Sequence, residues 1–255
     1  MRWKTAITKV EPNHIVTRGY RQEELIGNLP FSSSVWLLLT GSLPSQKEAK
    51  LFDAILTSSI DHGVTPPTTL ASRTVASAGV PLPTAVAAGV LAVGDVHGGA
   101  IEDCARFLQD GVQKGKKEKK SMEAVASELV SAHRQTGKRI AGLGHRLHTE
   151  DPRSDRLFAL AEELGLHGEH CRLLRCVQDE LSKTSRPLPI NVDGAIAALI
   201  SDLGFSYSLG KAFFLIGRVA GLVAHVYEEM TREKPMRRLC DVDVEYDGPW
   251  ERDFP

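Results

Sequence analysis

Residues 84–100 read Thr-Ala-Val-Ala-Ala-Gly-Val-Leu-Ala-Val-Gly-Asp-Val-His-Gly-Gly-Ala, an apolar run that ends in a histidine set among glycines. Over Thr84 to Val93 the apolar side chains fall on nearly every side of a helix, the pattern of a helix expected in the middle of a protein. Its small residues would let neighbouring helices approach closely. The run is too short to span a bilayer, and Pro81 and Pro83 precede it. His97 then belongs at the inner end of that helix, where Gly98 and Gly99 would let a ligand approach the backbone.

The same three- and four-residue periodicity recurs elsewhere. Leu209, Ala212, Phe213, Ile216, Val219, Ala220 and Val223 predict a long amphipathic helix over 208–230. Leu157, Leu160, Ala161 and Leu164 predict a shorter one stopped by Gly165. Ala195, Ile196, Leu199, Ile200 and Leu203 mark another, and Val125, Leu129 and His133 a fourth. Residues 34–39 are apolar and are followed by Gly41. Period-two strands are few; Val242, Val244 and Tyr246 alternate with acids and suggest a short extended arm. Strand–helix alternation is missing, so an all-α fold is expected and α/β folds are disfavoured.

Bulk properties narrow the class. The 255 residues are 42% hydrophobic and 25% charged, with a net charge of -1, which gives nucleic acid no electrostatic footprint to follow. Cys104, Cys171, Cys176 and Cys240 form no C-x-x-C pair, so reduced thiols are expected. Nine histidines are present without zinc-ligand spacing, and no metal is expected. The N-terminus carries no signal-like apolar region, so a soluble cytoplasmic protein is the expectation. The charged run 113–120 reads as a solvated turn or helix tip.

Four segments place His, Asp or Arg beside Gly and Pro: Asp61-His62-Gly63 with Thr65 to Thr69; Gly94 to Ala100; Ala141-Gly142-Leu143-Gly144-His145-Arg146 with Asp151-Pro152-Arg153; and Asn191-Val192-Asp193-Gly194. Singly, each has an ordinary structural explanation. A histidine beside glycine is usually a loop residue, and Asp before a helix is usually a cap. The G-L-G-H run lacks the frame of a dinucleotide fingerprint.

Taken in order, these segments resemble the signature series of the citrate synthase superfamily. The opening Arg18-Gly19-Tyr20, the W-L-L-L-x-G-x-L-P run ending at Pro44, and residues 216–225 are similar as well. The resemblance covers about residues 15 to 240. It leans towards the citryl-CoA lyases and the C-terminal part of ATP-citrate lyase for three reasons. The chain is short, Gly94-Asp95 stands where synthases more usually carry Gly-Pro-Leu, and Asn191-Val192-Asp193 runs directly into Gly194-Ala195-Ile196.

The resemblance implies a two-domain helical enzyme: residues 1–97 with 194–255 as the large domain and 98–193 as the small one, facing across a cleft. It implies retro-Claisen cleavage of citryl-CoA to acetyl-CoA and oxaloacetate. A short citrate or methylcitrate synthase, an acyltransferase running the condensation, is the first alternative, and a non-catalytic CoA-binding relative the second. His97 would stabilise the enolate, Asp193 would move the proton at the acetyl carbon, and His145 would serve the oxaloacetate oxygen. His62, Arg153 and Arg218 would hold the citrate or oxaloacetate moiety. Where the family has its partner-subunit arginine this chain has Lys234-Pro235, and either Lys234 or Arg237 would take that role. Ala141, Gly142, Leu143 and Gly144 would cradle CoA, with Arg146 near a phosphate. Coenzyme A would be substrate and product, with no tightly bound cofactor. A homodimer is expected, with a separate citryl-CoA synthetase as a candidate partner, because no P-loop is present.

Overall fold

The computed structural model describes residues 3–137, 139–144, 150–183, 187–237 and 245–254. Three short antiparallel strands come first: β1 (Thr8–Glu11), β2 (His14–Thr17) and β3 (Tyr20–Arg21). Eleven helices follow among the described residues: α1 (Gln22–Leu25), α2 (Phe31–Thr40), α3 (Gln46–Ser58), α4 (Pro67–Ser77), α5 (Leu82–Leu91), α6 (Ala100–Glu118), α7 (Met122–Thr136), α8 (Pro152–Leu164), α9 (Glu169–Ser182), α10 (Val192–Asp202) and α11 (Gly210–Arg232). A 3-10 turn, Tyr207–Leu209, leads into α11.

Helix starts follow capping chemistry. Ser45 opens α3 with a reciprocal capping box: the Glu48 N–H donates to Ser45 Oγ and the Ser45 N–H to Glu48 Oε2. Ser121 caps α7 and Asn191 caps α10. α8 begins with Asp151 as cap and Pro152 in its first turn, and Gly165 ends it as the sequence predicts. The charged run 113–120 is the tip of α6 and the turn after it, where Lys114 and Lys120 pair with Glu128 and Lys116 with Glu169.

One helix is buried on all sides, and it is α10. Ala195 through Ile200 are sealed from solvent between α6, α8 and α9. At one end of the same core Trp36, Phe52, Phe205 and Phe213 meet largely edge to face, with Trp36 and Phe205 centroids 4.7 Å apart. Each such side chain contributes about 1.5–3 kcal/mol of burial. α11 packs against α3, α4, α5 and α6. By length and composition it could cross a membrane, yet it carries buried Arg218 and Glu229 within this bundle.

Two expectations need correcting. The apolar 84–93 segment does form a helix, α5, but it lies at the edge of the chain. Only Ala85 and Gly89 are buried, and Leu91 is 84% exposed. α4 and α11 cover one face and leave the other open. The N-terminal sheet was also not foreseen. Its strands bury almost nothing, so no amphipathic alternation marks them. Arg18 ties the sheet to the bundle by donating from Nε and a terminal nitrogen to the Leu38 carbonyl near the end of α2, 3.0 and 2.6 Å away. Of the proposed extended arm, Val242 and Val244 lie outside the described residues, as does Cys240. Cys104, Cys171 and Cys176 are free thiols.

α9 starts at Gly168, which has no side chain to cap it. Asp202, at the end of α10, supplies the missing acceptor. Its carboxylate takes the N–H groups of Gly168 (2.9 Å), His170 (3.0 Å) and Cys171 (3.2 Å), and His170 Nδ1–H at 2.8 Å. Burial opposes ionisation of Asp202, but the His170 and Cys171 hydrogen bonds outweigh it and hold the carboxyl below its ordinary value. Asp202→Ala is expected to lower the unfolding free energy by about 2–3 kcal/mol, read from urea denaturation. Because the native value lies below the unfolded one, this stabilisation is complete above pH about 4 and fades as pH falls through the native value.

Candidate active site

His97 sits in a tight hairpin between α5 and α6. Gly94 N–H donates to the His97 carbonyl at 2.9 Å, and His97 N–H returns to the Gly94 carbonyl at 3.2 Å. Gly98 has φ +85°, and a Cβ there would press on Phe214 at 2.9 Å. Lys211 Nζ reaches Asp95 at 2.6 Å and ties the hairpin to α11. The His97 Nε2 lies 3.1 Å from the buried Thr68 hydroxyl, and its ring meets Phe214 edge-on at 5.6 Å. Burial, and then the Arg218 charge, push the imidazole below its ordinary value, so it is neutral near pH 7.

Arg218 comes from the middle of α11. Gly217 and Gly221 let that helix run against the backbone of residues 56–61, where any side chain would collide. Arg218 is 3% exposed; its guanidinium lies over the Phe214 ring at 4.8 Å and donates from Nε to the Ser59 carbonyl at 2.9 Å. One terminal nitrogen is buried without a hydrogen-bond partner. Burial pulls its pKa down, Asp61 and Asp193 support the charge, and Arg153 opposes it. Asp61 itself is gripped by His225 Nε2 at 2.9 Å and by the Gly63 N–H.

Asp193 stands in the first turn of α10, where the helix N-terminus favours a negative charge. It is surrounded by protein but keeps an accessible face. Burial pushes its carboxyl above the ordinary range; Arg153 and Arg218 oppose that shift and Asp151 adds to it. The 141–144 loop lies directly on this helix start. Asn191 N–H donates to the Gly142 carbonyl, Gly144 N–H to the Pro189 carbonyl, and Asn191 Nδ2 to the Gly144 carbonyl, at 3.1, 2.7 and 2.8 Å. Gly142 has φ +85°, and a Cβ there would fall 2.7 Å from both Cys104 Sγ and the Gly194 Cα. Asp151 is buried beside them. It holds Arg153 through Nε at 3.0 Å and a terminal nitrogen at 2.9 Å, and accepts the Val192 N–H at 3.0 Å.

His97, Arg218, Asp193 and Arg153 therefore form one electrostatic cluster, with Arg218 sensed by both His97 and Asp193. The Ala141, Gly142, Leu143 and Gly144 backbone docks against the same helix start. His145 and Arg146 lie outside the described residues. His62 follows Asp61 on the exposed loop before α4. Arg237 is engaged elsewhere on this chain, donating to Glu229 at 2.8 Å and Glu233 at 3.2 Å in a network shared with Arg73. Glu229 is eleven residues beyond Arg218, about 16 Å along the helix. Lys117 lies about 25 Å along α6 from the His97 hairpin.

Sequence reasoning missed Thr68, Phe214 and Asp151 as members of the cluster. Thr68 and Asp151 lie inside quoted segments, but Phe214 had no signal beyond helical periodicity. Among the described residues, no group of three or more His, Cys, Asp and Glu side chains is placed to hold a metal ion.

A family model described as "Citrate synthase, C-terminal domain" matches residues 44–239. The solved citryl-CoA lyase from Hydrogenobacter thermophilus is 47% identical, with a TM-score of 0.90 over 99% of this chain and 97% of that one. Citrate synthase from Pyrobaculum aerophilum is 26% identical, with a TM-score of 0.67 over 89% of this chain and 55% of that one. The probable ATP-citrate synthase of Dictyostelium discoideum is 29% identical over 217 residues, 78% of this chain and 33% of that protein. The chain thus spans about a third of the length of the first curated relatives it matches.

The close approach of Gly142 and Gly194 gives a direct test. Gly194→Ala would drive a methyl group into the Gly142 carbonyl. It is expected to cost about 1–3 kcal/mol in urea denaturation, the range for overpacking.

Proposed function

The chain belongs to the citrate synthase family, and on that premise we propose that it is a citryl-CoA lyase, cleaving citryl-CoA to acetyl-CoA and oxaloacetate. The observation that carries the reading is the buried Arg218 guanidinium with an unpartnered nitrogen, close to Arg153, Asp193 and His97. Such a cation calls for an anionic ligand, and a guanidinium edge suits a carboxylate. Likeness to a citryl-CoA lyase along nearly the whole of both chains favours cleavage over condensation.

In this reading Arg153, Arg218 and His62 hold the citryl carboxylates, and the 141–144 loop with Arg146 receives coenzyme A. His145 takes the proton of the tertiary hydroxyl. The bond between the carbinol carbon and the thioester α-carbon then breaks, leaving oxaloacetate, and its electron pair passes into the enolate of acetyl-CoA. His97 donates to the enolate oxygen, the kind of preorganised donor that lowers a barrier most. A Thr68 hydroxyl that donates to Nε2 would leave the ring's proton on Nδ1 for that task. Asp193 finally protonates the α-carbon. Burial raises its pKa above the ordinary carboxylate value, a shift in the direction that suits a proton donor in cleavage.

The division of 98–193 from 1–97 and 194–255 gives, in this reading, a closing cleft whose crossings fall at His97 and Asp193. The outer face of α5 forms an apolar groove with Leu82, Val86, Val90, Leu91 and Val223. A second copy of the chain covers it in this reading, and the partner subunit's Arg237 then approaches the third carboxylate. The enzyme works in the cytoplasm, supplied by a separate citryl-CoA synthetase.

Purified protein given citryl-CoA should release oxaloacetate and acetyl-CoA; free citrate instead would mark a synthase-type hydrolysis. His97→Ala is expected to lower kcat by about 10²–10³. Retention of full activity in that variant would sink the assignment of His97. By light scattering the wild type should show twice the chain mass, and Leu91→Glu should return it to a single chain.

A further inference from the structure

Asp151 is the most heavily bonded carboxylate near the cluster, and its bonds reach further than a cap requires. As the cap of α8 it needs only the Arg153 N–H, which donates to Oδ1 at 3.1 Å. That same oxygen also takes Arg153 Nε, and Oδ2 takes an Arg153 terminal nitrogen together with the N–H of Val192. Four donors thus saturate the four acceptor positions of an ionised carboxylate. One of them belongs to another helix, 41 residues away in the chain. Asp151 is 1% exposed. A buried carboxylate is costly unless fully paired, and here it is.

We propose that Asp151 is the positioning residue of this site, a saturated carboxylate that fixes the Arg153 guanidinium relative to Asp193 by holding Arg153 and the first turn of α10 at once. The proposal rests on the lyase reading for its consequence in turnover. Two geometric facts support it. Val192, held by Oδ2, is the residue immediately before Asp193. The fork consumes one edge of the guanidinium and leaves the opposite edge turned away from Asp151, the edge that a ligand carboxylate would take. Among the described residues, the charged and titratable groups facing Asp193 are Asp151 and Arg153 at the start of α8, Arg218 from α11, and Cys104 from α6. Asp151 and Arg153 act on Asp193 in opposite directions, Asp151 raising its pKa and Arg153 lowering it.

The test reads Asp193 itself, independently of turnover. Carboxyl ¹³C resonances of labelled aspartates are titrated in the full chain, with Asp193→Asn used for assignment. Asp151→Asn removes a like charge and unmasks Arg153, so the Asp193 midpoint is expected to move to lower pH. The KM for citryl-CoA is expected to rise about tenfold or more, because Arg153 is no longer aimed. An unchanged midpoint with KM within twofold of wild type would overturn the proposal, leaving Asp151 as a cap alone. If Asp151→Asn does not fold, Arg153→Gln serves. It leaves the Asp151 charge unbalanced, so the Asp193 midpoint should move to higher pH, and no movement would again overturn the proposal. A wild type inert towards citryl-CoA would sink the lyase reading, while the titration would still decide whether Asp151 governs Asp193.

Discussion

A guanidinium buried without a full set of partners is the constraint around which this protein is arranged. Removing Arg218 from water costs several kcal/mol unless other charges and dipoles compensate. The compensation on this chain is partial: one carbonyl, one aromatic face, and the more distant charges of Asp61 and Asp193. Glycines at 217 and 221 let α11 press close enough to the 56–61 backbone to deliver that carbonyl. The remaining hydrogen-bonding capacity of Arg218 is what a carboxylate would complete. The other members of the cluster follow from the same low-polarity surroundings: the imidazole is held neutral and the Asp193 carboxyl is inclined to keep its proton.

Each chemical group is borne on a device that fixes it from outside the cluster. A two-ended hairpin and the Lys211–Asp95 pair hold His97. The stacked loop and helix start hold Asp193. Asp202 does the same for the start of α9, well away from the chemistry. Remote carboxylates capping helices are thus a recurrent solution here, and both Asp151 and Asp202 join elements distant in sequence.

Much of this was legible in the sequence because helix periodicity and capping are local. The helices at 152–164, 192–202 and 210–232 lie within a few residues of where apolar spacing and Gly165 put them. Motif order led to His97, Asp193, Arg153 and Arg218. What stayed hidden depends on long-range contact. An Asp before a Pro reads as a cap whether or not it also holds a second helix, so Asp151 gave no further sign. Phe214 reads only as another apolar position on a helix, though its ring serves both His97 and Arg218. The apolar 84–93 run announces that a helix is to be covered but not by what, and within one chain only one face is. Strands that bury almost nothing, such as β1 to β3, leave periodicity nothing to report.

The contact between Gly142 and Gly194 has a mechanical consequence. With no side chain between them and three hydrogen bonds alongside, the 141–144 loop and the start of α10 are effectively welded, and the carboxyl of Asp193 rides on that weld. If the proposed cleft opens, the loop and Asp193 move together, because the weld leaves no freedom between them. Such a motion would change the separation of Asp193 from the His97 imidazole and leave the spacing of Asp193 and the loop constant.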